Sequence, residues 1–333
     1  MPKPKTIQLR LKSQAQILSA FVSAFRRTLI THKPAPSDHE RLAEIEEGAM
    51  RIWAHNVCLY FDDDVVLRLK DFVADLQVLD PTTPFIPELK DSYVINIREG
   101  QIRLSAASLE ALMGRYILPS AGSPLKDARL SISGDRMILR AKARKFGLDV
   151  PITMECEVSV GPEGMIELLP QRLAVSEVGI GGMIKLFNLE LDRLLEIPPD
   201  APLRVSGNQI TIDPAGIFPS PKAIGRPTAV RIERGELVLA YSGPAPAEAA
   251  PLLDPQAPNY MVCMGHDLLV GKMMMHDAHF QIVNQDPASH LDFSLDHYRS
   301  QLAAGSSSLH AGDQLLVRLP NLGPSTRGGT GPI

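Results

Sequence analysis

The stretch LSISGDRMILRAK, from Leu130 to Lys142, places Leu130 and Ile132 before Gly134, and Met137, Leu139 and Ala141 after it. Arg140 and Lys142 fall between the apolar positions of the second arm. Alternation of period two on both sides of a short Gly-bearing turn marks an antiparallel hairpin with one apolar face. The phrase recurs at Ile95–Ile97, Glu99-Gly100 and Ile102–Leu104, and again at Val158–Val160, Gly161 to Gly164 and Ile166–Leu168. Two further copies are Leu203–Val205, Gly207-Asn208, Ile210–Ile212 and Val230–Ile232, Gly235, Leu237–Leu239. So many apolar faces need cover, and two helical stripes supply it. After Ser105, a capping residue, Leu109, Leu112, Met113, Tyr116 and Ile117 fall at helical spacing; after Gly179 to Gly182, so do Ile184, Phe187, Leu191, Leu194 and Leu195. The fold class expected is α+β, an antiparallel sheet with amphipathic helices on its apolar face.

The composition is that of a folded protein: 333 residues, 44% hydrophobic and 22% charged, enough for one large or two medium domains. A net charge of -4 gives no clustered basic footprint, so nucleic acid is not an expected partner. Three widely spaced cysteines, Cys58, Cys156 and Cys263, suit buried thiols better than a disulfide framework or a Cys-based zinc site. No signal-peptide pattern and no run of about 20 apolar residues is present. The expected compartment is the cytoplasm as the sequence is written, or the cell envelope if its start is incomplete.

Along the chain, residues 1–50 read as a helical extension with an acidic helix from Asp38 to Met50. Residues 51–242 read as the sheet-and-helix domain, 243–259 as a Pro/Ala-rich linker, 260–322 as a strand-rich C-terminal region and 323–333 as a disordered tail. Within the C-terminal region, Tyr260 to Val283 alternates like strand, Phe293 to Leu302 reads as a short helix and Leu315 to Leu319 as a last strand.

Candidate chemistry is sparse. His276-Asp277-Ala278-His279, with His266 and five nearby Met residues, has the residue types for a soft metal, but on a strand the two end histidines point to opposite faces. Asp62-Asp63-Asp64 lacks the spaced ligands of a calcium loop. Gly305 to Ser308 with His310 lacks a nucleophile elbow. Each of these reads as structural, so the chain reads as non-enzymatic and without a cofactor.

Taken together, the hairpins, the helix Ala106 to Leu118, the phrase Leu173-Ala174-Val175 to Gly182, the helix Met183 to Ile197 and the closing Val230 to Tyr241 resemble the bacterial LmeA-like phospholipid-binding family. That family looks like one half of the tubular lipid-binding folds, in which a strongly curved antiparallel sheet wraps a long helix around an apolar lumen. The resemblance covers roughly residues 60–242 and implies for this chain a strongly curved antiparallel sheet wrapping the amphipathic helices, between the helical N-terminal extension and the strand-rich C-terminal appendage. It also implies non-catalytic binding, and transfer, of a phospholipid or similar apolar ligand, with peripheral membrane contact. Leu112, Tyr116, Phe187, Leu191 and Leu194 would then face the ligand, and Arg140 and Lys142 would meet an anionic headgroup. The chain departs from the family in lacking an export signal and in the region from Tyr260 onward. The rival expectation is a scaffold with a filled core, acting through its N-terminal helix or C-terminal region.

Overall fold

The computed structural model describes residues 45–117, 125–145, 148–175, 191–194, 197, 201–242, 249–310 and 312–322. The described residues fall into two compact units, one drawn from Met1–Gly100 and Gly243–Ile333, the other from Gln101–Ser242. Both are mostly β, with large sheets that are antiparallel in the main, and helix is a minor component.

The acidic helix expected to reach Met50 does not do so. Gly48 takes φ +78°, a turn closes from Ala49 N–H to Glu46 C=O, and Ala49 already begins strand β1 (Ala49–His55). β2 (Val57–Tyr60) and β3 (Val66–Val78) follow, and β1 and β2 both pair antiparallel with β3. Between β2 and β3, Asp62 Oδ1 accepts from the N–H groups of Asp64 at 2.8 Å and Val65 at 2.7 Å. The three-Asp run is thus a capped turn.

The hairpin expected around Glu99-Gly100 is instead one continuous strand, β4 (Tyr93–Ser105). Gly100 sits in it at φ +114°, and a Cβ built there would lie 2.4 Å from the Asp71 carbonyl oxygen and 2.5 Å from Phe72 Cα. This glycine admits close backbone approach within a strand and does not reverse the chain.

In the second unit, Ser105 Oγ accepts from Ser108 N–H at 3.1 Å and caps α1 (Ala106–Leu112), which runs into a π-helical turn, Met113–Ile117. Strands β5 (Leu125–Ser133), β6 (Arg136–Lys145), β7 (Leu148–Val160) and β8 (Ile166–Val175) form a meander. The short helix α2 (Leu191–Leu194) precedes β9 (Leu203–Ser206) and β10 (Gln209–Ile212). The sheet order is β5-β6-β7-β8-β10-β9. The hairpins expected here form, with Leu130 facing Leu139, Val160 facing Ile166 and Val205 facing Ile210. After α3 (Pro214–Ile217) and β11 (Lys222–Ile224), β12 (Ala229–Glu233) and β13 (Glu236–Tyr241) make the last expected hairpin.

The chain then returns to the first unit. β14 (Tyr260–Met264), β15 (Leu268–Val270), β16 (Met273–Met275), β17 (His279–Asn284) and β18 (Leu291–Ser294) are followed by α4 (Tyr298–Ala304), β19 (Ser306–Leu309) and β20 (Leu315–Leu319). Phe293, expected in a helix, lies in β18. β14 pairs with β1 on one side and β17 on the other. β20 runs parallel to β17, and β18 parallel to β2. Residues 260–322 therefore complete the sheet that residues 49–100 begin.

One face of that sheet gathers buried Trp53, Val73, Val262 and Met264 under Ala250 and Leu252. Beside them, Arg51 Nε lies 2.8 Å from Asp75 Oδ1, with both side chains under 10% exposed, and Arg98 Nη1 lies 2.8 Å from Asp75 Oδ2.

Candidate functional site

The residues expected to line an apolar site divide into three groups. Leu112, at the end of α1, is 1% exposed, and Leu191, at the start of α2, is 0% exposed. Tyr116 is half-buried in the π-helical turn. Leu194 is the last residue of α2, and Phe187 lies outside the described residues. Leu191 packs with Met113, Leu139, Ala141, Met154 and Ile210 on the apolar face of the six-stranded sheet. Asn208 Oδ1 accepts from Leu191 N–H at 2.9 Å, and Asp192 Oδ2 accepts from Gly207 N–H at 2.9 Å. These bonds seat the start of α2 on the β9–β10 turn. Around the core, Leu130, Leu168, Leu173, Val205 and Ile212 remain only partly buried.

Arg140 and Lys142 are exposed on β6, alternating with buried Leu139, Ala141 and Ala143. Strand geometry puts them on the face opposite the core. Lys142 Nζ lies 2.6 Å from Asp127 Oδ2. That hydrogen bond, with the charge behind it, raises the lysine above its ordinary pKa and holds the Asp127 carboxyl below its own. Arg140 stands across from Arg129, whose guanidinium reaches Glu110 at 2.6 Å. The basic pair and the buried leucines thus occupy opposite sides of the sheet.

The histidines of the C-terminal region each have a partner of their own. His266 Nε2 lies 2.8 Å from the Thr83 carbonyl oxygen, His276 Nδ1 lies 2.9 Å from Asp267 Oδ2, and His279 Nε2 lies 3.0 Å from the Pro251 carbonyl oxygen. His279 Nδ1 also meets Gln314 at 3.0 Å. They do not converge on a shared point.

Among the described residues, the group with metal-ligand spacing is one that sequence reasoning missed. Cys58, His290 and Asp292 each bring a ligating atom within 4.8 Å of the others. The parallel pairing of β2 with β18 sets Cys58 directly across from Asp292. His290 precedes Asp292 by two, so an extended chain turns both to one side. Asp292 is 2% exposed, Cys58 is 5% exposed, and the His290 side chain is about half exposed. Cys58 carries a thiol, as do buried Cys156 and Cys263. Leu322 N–H donates to Asp292 Oδ2 at 3.2 Å. The other oxygen, Oδ1, is buried without a hydrogen bond: His290 Nε2 lies 3.0 Å away, outside hydrogen-bonding alignment. The local signal present in the sequence was His290-Leu291-Asp292; Cys58 lies too far along the chain to be joined to it by spacing.

Compared with family models, curated proteins and solved structures, the chain matches none. Among the described residues, no helix is long and apolar enough to cross a membrane.

Proposed function

We propose that the unit formed by residues 101–242 binds a phospholipid or similar apolar ligand without catalysis, by a strongly curved sheet around its helices, and passes it to or from a membrane surface. The observation that carries this reading is the core of the six-stranded sheet. Half of that core is small or pliable side chains, Ala141, Ala143, Met113, Met154 and Cys156, set beside Leu125, Leu139, Ile152, Leu191 and Ile210, and it is bordered by partly buried Leu130, Leu168, Leu173, Val205 and Ile212. Unbranched and small side chains can shift to admit an alkyl chain where a rigid aromatic core would not. The physical need is large: moving a two-chain lipid through water exposes about thirty methylenes, at about 0.8 kcal/mol each.

Because Leu112 and Leu191 are fully buried, they serve as the wall behind the ligand, and the partly buried leucines as the surface it touches. Arg140 and Lys142 face away from that surface and act, in this reading, on the membrane.

Native mass spectrometry of the purified chain, followed by solvent extraction, tests the proposal. A stoichiometric lipid is expected, and its loss in a folded Leu130→Lys, Leu168→Lys variant. A wild-type apo mass, together with no uptake of a fluorescent phospholipid from phosphatidylglycerol–phosphatidylethanolamine vesicles, would overturn it in favour of the filled-core scaffold.

A further inference from the structure

The polar cluster between β2 and β18 has the chemistry of a metal centre. A soft thiolate, an imidazole and a carboxylate together suit zinc and its near neighbours, whereas magnesium and calcium prefer oxygen alone. Around a tetrahedral zinc, ligand atoms 2.0 to 2.3 Å from the ion stand roughly 3.3 to 3.8 Å from one another. The atoms of Cys58, His290 and Asp292 already lie within 4.8 Å of each other. The half-exposed His290 ring has room to make the remaining adjustment.

The carboxylate carries the second line of argument. A buried carboxylate oxygen with no hydrogen bond is costly, and Asp292 Oδ1 is such an oxygen, 3.0 Å from His290 Nε2, while Oδ2 is tied to Leu322 N–H. One oxygen anchored by a backbone N–H and one without a hydrogen bond, 3.0 Å from an imidazole nitrogen, is an arrangement that suits a monodentate metal carboxylate.

The surroundings hold these groups in place, as outer-shell contacts do in metal sites. Asn321 Oδ1 accepts from Asp292 N–H at 3.1 Å and from Asn284 Nδ2 at 2.7 Å. The same Asn284 amide reaches the His290 carbonyl oxygen, and Asn259 Nδ2 donates to the Ser289 carbonyl oxygen at 2.6 Å. Asn259 and Asn284 are buried. An apolar cover of Tyr60 and Leu322 packs against Cys58, which lowers the local dielectric and strengthens ion–ligand attraction.

We propose that Cys58, His290 and Asp292 bind a zinc-type divalent ion, with a remaining coordination position open to water or an anionic ligand on the His290 side. The site belongs to the first unit and is independent of the lipid reading. Three protein ligands and an exchangeable position are the donor count of a reactive zinc centre, where a structural site closes with four.

The test is titration of the full chain with Zn²⁺ against a chromogenic chelator, and with Co²⁺, whose thiolate charge-transfer band reports sulfur in the coordination shell. One ion per chain and that band are expected. His290→Ala removes a half-exposed side chain and leaves the fold intact; it is expected to weaken binding by at least about a hundredfold. Cys58→Ser is expected to abolish the charge-transfer band. His276→Ala, at a separate histidine–aspartate pair, is expected to leave binding unchanged. Absence of one-to-one binding in the wild type overturns the proposal, as does binding that survives His290→Ala or fails in His276→Ala.

Discussion

Replacing Asp75 with Leu removes a buried counter-charge of Arg51, a guanidinium whose side chain is only 6% exposed and which Asp75 meets through two bonds, at 2.8 and 3.2 Å. Breaking a buried pair from one side costs about 3–5 kcal/mol, because the remaining charge stays in a poorly solvated place. Arg98 adds little, since its side chain is 48% exposed and exposed pairs contribute at most about 1 kcal/mol. Against a typical domain stability of about 5–15 kcal/mol, the loss is a large fraction of the whole. With a urea slope of about 2 kcal/mol/M, a 4 kcal/mol loss moves the midpoint down by about 2 M. Trp53 makes the assay specific: it is the single tryptophan of the chain, it is buried in the same unit, and the Arg51 guanidinium carbon lies 6.0 Å from its ring centre. Its fluorescence therefore reports unfolding of this unit and not of residues 101–242. The double variant Arg51→Met, Asp75→Leu is expected to return to within about 1 kcal/mol of wild type, because an apolar pair of similar volume replaces an ion pair at little net cost. A single-variant loss below about 1 kcal/mol, or a double variant as unstable as the single, would refute the reasoning.

Gly100→Ala is expected to destabilise the same unit by about 1–3 kcal/mol through positive-φ strain and contact with the β3 backbone at 2.4–2.5 Å; tryptophan-detected urea melts check this, and an unchanged midpoint counts against it. Glu110 is held below the ordinary carboxylate pKa first by the Leu130 N–H and then by Arg129. Its folded pKa being depressed, it contributes stability above the unfolded value of about 4.3, lost as pH falls through the folded value. Glu110→Gln should therefore cost about 1 kcal/mol at pH 7 and converge on wild type as pH falls below the folded value, in melts followed by circular dichroism. Burial pushes the Cys156 thiol up to about 11 and Cys263 further still. Iodoacetamide at pH 8, read by peptide mass spectrometry, should label these two only after denaturation, since roughly one thousandth of Cys156 is then thiolate; rapid native labelling would contradict their burial.

What the sequence carried was local. The hairpins at Gly134, Gly161 to Gly164, Gly207 and Gly235 were legible because both arms and the turn lie within about fifteen residues and the register follows from alternation. Gly100 misled because a glycine between two alternating runs has the same signature whether it reverses the chain or lets a neighbouring strand approach. The capped helix after Ser105 was legible from its spacing. The parallel partnership of β2 with β18 was not, since no periodicity relates Cys58 to Asp292. The run His276-Asp277-Ala278-His279 drew attention by proximity in sequence, yet His279 enters β17 and His276 stays in the preceding turn. Ligands converge through strand pairing, and for this chain the pairing joins distant segments.

The placement of β1 between β3 and β14 has a consequence for synthesis of the chain. β1 and β3 leave the ribosome early, but β14, which completes the pairing of β1, begins only at Tyr260. About 160 residues separate Gly100 from that strand, so at 5–20 residues per second the unfinished edge of β1 waits roughly 10–30 s for its partner. Residues 101–242 form a contiguous unit and can mature during that interval. A nascent chain stalled before Tyr260 would therefore expose an unpaired strand rich in Met, Ile and Trp, the kind of edge that chaperones shield and that seeds aggregation when they do not.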